Sequence, residues 1–107
     1  MSLEKAVLRE GLLEIGDRAF AGTDLFSAAV PDGVEVVGRE AFEGCRRLDV
    51  VTVWGAPAIG DGAFAMCPSL ETIYFVGLTD DAARSLPGYP WGAPAGCRVV
   101  GIDPADV

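Results

Sequence analysis

A chain of 107 residues, half of them apolar, suits one domain with a continuous core rather than several. Its formal charge is −8, and its cations are one lysine and seven scattered arginines. That excludes the clustered positive charge that nucleic-acid phosphates or an anionic membrane surface require. With no histidine, Ser-His and Cys-His nucleophile pairs are excluded as well. No segment approaches the roughly 20 apolar residues of a membrane span. The first residues do not show the positive stretch and long apolar run of a signal peptide.

In chain order, residues 1–16 read as an N-terminal half coil. Leu3, Ala6 and Leu8 sit at spacings that recur later, followed by Gly11 and Leu12. Leu3 to Leu8 is expected to be an edge strand, with Glu4, Lys5 and Arg9 placing charge on an otherwise open edge. Residues 17–76 carry the repeats. Ile15 to Gly22, Val37 to Gly44 and Ile59 to Met66 are three copies of one phrase, with Phe20, Phe42 and Phe64 and also Gly16, Gly38 and Gly60 at a fixed period. A period in this range marks a solenoid, in which each coil buries its apolar face against the next.

After each phrase comes an apolar run: Leu25, Ala28, Val30; Leu48, Val51, Val53; Leu70, Ile73, Phe75. The Leu-x-x-Val-x-Val pattern alternates as a short strand. Successive strands must be parallel, because a crossover of roughly a dozen or more residues separates them. That crossover is expected to return as a turn of helix around each Ala-Phe, with the three phenylalanines in one column behind the sheet. Residues 77–107 read as a C-terminal cap and tail. Thr79 or Asp80 can cap a short helix running to Leu86. Pro87 to Pro94 is irregular, Cys97 to Val100 is a last strand, and Asp103 to Val107 is a frayed tail. Tyr89 and Trp91 are expected to cover the third coil.

The repeat resembles the BspA-type leucine-rich repeats, whose units read roughly Ile-Gly-x-x-Ala-Phe-x-Gly-Cys-x-x-Leu-x-x-Ile-x-Ile-Pro. Val37 to Trp54 follows it closely, with Gly44-Cys45 and Leu48, Val51 and Val53 in place. Thr23 stands for the Cys of the first unit, Met66 for the Gly of the third, and Trp54 where Pro31 gives the usual proline. The resemblance implies an α/β repeat fold: a right-handed leucine-rich-repeat solenoid with a short-stranded parallel β-sheet and short helical return segments. It also implies a bacterial or protist protein that is secreted or held at the cell surface.

Cys45 and Cys67 occupy one repeat position and should be neighbours on adjacent coils. A disulfide is open to them if their geometry allows it; the family pattern favours two buried free thiols. Cys97 is left over in the cap. No metal site is expected, since there is no histidine and no C-x-x-C. Asp49 and Glu71 also share a repeat position, where paired acids could do acid–base work or hold calcium, but solvated surface acids are the simpler reading.

The outward strand face is the better candidate site. It carries Lys5, Val7 and Arg9, then Ser27, Ala29 and Pro31, then Val50, Thr52 and Trp54, and last Thr72, Tyr74 and Val76. The last six form an aromatic and β-branched patch of the kind enriched in interfaces. The opposing expectation is that the cap folds over Trp54 and Tyr74. The function expected is a non-catalytic module that binds a protein partner through this face, without cofactor, nucleic acid or membrane insertion. The alternative is a structural unit that self-assembles into a homo-oligomer.

Overall fold

The computed structural model describes the backbone of residues 5–7 and all of residues 14–106. Leu3, Leu8, Arg9, Gly11, Leu12 and Val107, and the side chains of Lys5 and Val7, lie outside the described residues.

The apolar alternation after each return does form strands. β1 (Lys5–Val7), β3 (Ser27–Val30), β5 (Val50–Trp54), β7 (Thr72–Val76) and β8 (Arg98–Ile102) make one five-stranded sheet in that order, every pair parallel. Register is set by the repeat. Ala28, Val51, Ile73 and Val99 stand side by side, as do Val30, Val53, Phe75 and Gly101. Successive side chains of a strand point to opposite faces, so these positions all turn inward. From Ala28 to Val99 and from Val30 to Phe75 every side chain is buried.

A second sheet closes the other side of the coil, and the sequence reading did not foresee it. β2 (Glu14–Ile15), β4 (Val36–Val37) and β6 (Ala58–Ile59) pair in parallel just ahead of each repeat glycine. Each contributes one exposed residue and one buried one, with Ile15, Val37 and Ile59 facing the core. Immediately after β4 and β6, glycine is demanded by crowding. A Cβ on Gly38 would come within 2.5 Å of the Asp17 backbone nitrogen, and one on Gly60 within 2.6 Å of the Arg39 nitrogen. Backbones of neighbouring coils touch there, and only a residue without a side chain fits.

The returns correct the expectation of helices. The three Ala-Phe segments are chains of turns, and the one α-helix among the described residues is α1 (Asp80–Arg84), in the cap. The reason lies in how the backbone donors are shared. Ala41, Glu43 and Cys45 donate three residues back, to Gly38, Glu40 and Phe42. The residues between them donate to the next coil: Glu40 to Asp61, Phe42 to Ala63 and Gly44 to Ala65, at 2.8–3.1 Å. The first return repeats this pattern onto the second, from Arg18, Phe20 and Gly22. Left-handed residues punctuate it, with φ 56 at Arg18, 55 at Glu40 and 67 at Gly62. An α-helix would need those donors for itself and cannot hold a left-handed residue.

The aromatic column behind the sheet forms as expected. Phe20 and Phe42 stack with centroids 5.4 Å apart at 9°, and Phe42 and Phe64 at 5.6 Å and 10°. Phe42 has no exposed surface. Trp91 ends the column edge-on to Phe64 at 6.3 Å, and also meets Phe75 at 5.6 Å. It is buried, and its indole N–H donates to the Pro87 carbonyl at 2.9 Å. Tyr89, expected to share this task, instead stands edge-on against Trp91 and stays 42% exposed.

The C-terminal end is closed by the polypeptide itself. Thr79 caps α1 by accepting from the Ala82 N–H, with Asp80 and Asp81 in the first turn. The helix ends at Arg84 rather than Leu86, where the Ser85 hydroxyl donates back to the Asp81 carbonyl. α1 then meets the backbone of β8: Asp80 Oδ1 accepts from Gly101 N–H at 2.7 Å, and Arg84 Nε donates to the Val99 carbonyl at 3.2 Å. Gly101 takes the inward position beside Phe75 because the backbone of Leu78 and Thr79 fills the space where its Cβ would be. Beyond β8 a short 3-10 turn spans Pro104–Asp106.

Candidate functional site

The outward face is built by the same register that builds the core. Val50, Thr72 and Arg98 form one row across the sheet, Thr52, Tyr74 and Val100 a second, and Trp54, Val76 and Ile102 a third. Ser27 and Ala29 extend the first two rows towards β1. The structure therefore brings all six candidate residues onto two adjacent strands. Val50, Thr52, Trp54 and Tyr74 are half-buried, whereas Thr72 and Val76 are closed off at 9% and 2% exposure. Val76 is flanked by Trp54 and Ile102, two large neighbours in its own row. Val100 and Ile102 belong to this surface and were not assigned to it from sequence, although the alternation Arg98, Val100, Ile102 carried the signal.

The cap's buried aromatic does not lie over this face. Trp91 turns to the opposite side of the sheet, against Phe64 and Phe75. Trp54 and Tyr74 are half-buried beside Thr52 and Val100. No charged residue lies on the outward positions of β3, β5 and β7, although the chain as a whole is strongly acidic.

The thiols serve the core. Cys45, Cys67 and Cys97 are all free, and the first two are buried. Cys45 Sγ donates to the Phe20 carbonyl at 3.1 Å and Cys67 Sγ to the Phe42 carbonyl at 3.0 Å, so each thiol reaches back to the preceding return. Thr23 takes the same position one coil earlier, bonding the Phe20 carbonyl at 2.9 Å and lying 3.4 Å from Cys45 Sγ. Its hydroxyl thus bonds within its own return, where the two thiols reach back to the one before. The Cys67 thiol is pushed up from its ordinary range by its hydrogen bond with Cys45 and by burial. Burial also pushes the Cys97 thiol up.

Asp49 and Glu71 are neighbours through their backbones, Glu71 N–H donating to the Asp49 carbonyl at 2.9 Å, and both are exposed. Among the described residues no group of three or more His, Cys, Asp or Glu side chains is arranged to hold a metal ion. No helix among them is long and apolar enough to cross a membrane.

The family model for the BspA-type leucine-rich repeat region, described as six copies, matches residues 1–82. No curated protein and no solved structure matches the chain at a significant level. The match agrees with the parallel-stranded coils of the fold. Proteins of this repeat class are generally non-catalytic, and the class suggests a protein-interaction or structural module. The chain belongs to the BspA-type leucine-rich repeat family.

Proposed function

We infer that the protein is a non-catalytic binding module that takes a protein partner on its outward strand face. The observation that supports this is a run of uncharged aromatic and β-branched residues on the outward positions of β5 and β7, with Trp91 of the cap packed on the opposite side of the sheet. Trp54 and Tyr74 supply large, rigid contact area with a polar tip, the combination that dominates protein interfaces. Val50, Thr52 and Val100 give a flat β-branched floor between them. Thr72 and Val76 hold those neighbours in place rather than meeting the partner at large area. Relatives bearing this repeat are expected at the cell surface or among secreted proteins, which would set the partner in the same compartment.

The test is capture of a partner by the protein and by a Trp54→Ser, Tyr74→Ser double variant whose circular dichroism matches the parent. Loss of capture by the folded variant supports the reading. Undiminished capture would sink it.

A second reading, self-assembly, has its own observation. At the C-terminal end α1 takes outward backbone groups of β8. At the other end β1 has β3 as its one strand partner among the described residues. An edge of this kind can pair with a second copy. Light scattering over a wide concentration range separates the two readings. A stable dimer whose mass falls on Val7→Glu favours self-assembly, and a monomer throughout removes it.

A further inference from the structure

The repeat departs from itself where the third return meets the cap. Gly22 and Gly44 end their returns in left-handed backbone, at φ 73 and 75; the same position in the third return is Met66, at φ 58. A side chain in that conformation costs roughly 1–2 kcal/mol, and burial does not offset it, because Met66 is 74% exposed. The left-handed conformation itself belongs to the repeat, as at Gly22 and Gly44, so what is particular to the third return is the side chain it carries there.

Met66 borders a cleft of about 500 Å³, which Pro68 and Pro94 also line. The cap side is fixed by Gly92, which packs so tightly on Ala65 that a Cβ there would lie 3.1 Å from the Ala65 methyl. On the side of the second return stand Glu43 and Arg46. Glu43 is already engaged by Arg18 Nη1 at 3.1 Å. Arg46 is exposed and has no ion-pair partner among the described residues. One coil earlier the equivalent hollow holds about 290 Å³ and is lined by Gly22, Thr23, Asp24, Gly44 and Arg46, with no apolar wall. The apolar cleft therefore arises from Met66, Pro68 and Pro94.

We propose that this cleft binds a small amphipathic monocarboxylate, its apolar body against Met66, Pro68 and Pro94 and its carboxylate on Arg46. The volume falls within the range of about 300–1,000 Å³ typical of small-molecule sites, which are mostly apolar with a few polar groups. A guanidinium matches a carboxylate in geometry as well as charge. The net charge of −8 works against multiply charged anions, so a single charge on an apolar body is the chemistry selected. Methionine, flexible and polarisable, adapts to bodies of different shape. The site lies away from the strand face and does not depend on what that face binds.

The experiment is an amide NMR titration of the whole chain with phenylbutyrate, and in parallel with phenylbutanol, its uncharged counterpart. Saturable shifts are expected at Gly44, Met66, Cys67 and Gly92 with the acid. Loss of the charge-assisted contact should weaken the alcohol by about tenfold, and Arg46→Gln should weaken the acid by the same factor. Met66→Gly should lower affinity several-fold. Both variants are expected to fold, since Arg46 is exposed and the glycine relieves the left-handed strain. The proposal is overturned by an absence of saturable shifts at millimolar acid, by equal binding of acid and alcohol, or by acid binding that Arg46→Gln leaves unchanged.

Discussion

Truncating Phe42 to alanine tests the stacking of the coils most sharply. Its ring has no exposed surface and lies between Phe20 and Phe64, parallel to both within 10°. Removing a buried phenylalanine costs roughly 3–5 kcal/mol through lost burial and the cavity left behind. Each aromatic pair adds about 0.5–1.5 kcal/mol beyond its area, and Phe42 loses two pairs at once, so the upper end of the range applies. A domain of this size has a total stability of about 5–15 kcal/mol, so the variant should be close to unfolding. Phe20 is only partly buried and stacks on one neighbour. By the same reasoning Phe20→Ala should lose about half as much. Urea titrations followed by far-ultraviolet circular dichroism give both losses under identical conditions. If Phe42→Ala lost no more than Phe20→Ala, the column would not be the element that ties coil to coil, and the reasoning would fail.

Met66→Gly restores the repeat's own residue at φ 58, and should stabilise the fold by about 0.5–1 kcal/mol after the entropy of the unfolded glycine is allowed for; a lower Tm in calorimetry would contradict this. Gly101→Ala drives a methyl into the Leu78–Thr79 backbone, and should detach α1 from β8. Amide exchange at Val99 and Gly101 would report it, and unchanged protection would refute the account of the cap. Aromatic-disulfide labelling of the native protein at neutral pH should modify Cys97 slowly and leave Cys45 and Cys67 intact, with all three reacting in urea. Rapid native labelling of Cys45 or Cys67 would mean that the returns open far more readily than their two-way hydrogen bonding implies.

Much of this fold could be read before any coordinates. The strand register followed from Leu48, Val51 and Val53 recurring as Leu70, Ile73 and Phe75, because inward alternation leaves one way to align neighbours. The phenylalanine column followed from the same period. The returns did not, since an Ala-Phe segment with bonds three residues back looks locally like a helical turn. What forbids the helix is the sharing of alternate donors with the next coil, a long-range effect. The left-handed Arg18 and Glu40 carry no glycine to announce them. The second sheet was hidden for a different reason: two-residue strands with one inward side chain, such as Val36-Val37, have no periodicity to detect.

The outward face was legible as a set of positions and less so as a surface. Alternation placed Trp54 and Tyr74 outward, but the closure of Thr72 and Val76 depends on β8 adding a further strand with Val100 and Ile102. That strand lies beyond the three Phe repeats, paired to β7 and bonded by Asp80 and Arg84 of α1. Met66 was visible only as a departure from the pattern, and its consequence emerged with Pro94 brought across from the cap.

The central functional claim is that a partner docks on the outward strand face, and site-specific photocrosslinking tests it most directly. A photoreactive residue at Thr52, between Val50 and Trp54, is compared with one at Asp61, exposed on the third return. The account predicts a discrete protein adduct from position 52 and none from position 61, in the presence of whatever partner the intact protein captures. Adducts from position 61 with none from position 52 would place the partner on the returns and contradict it.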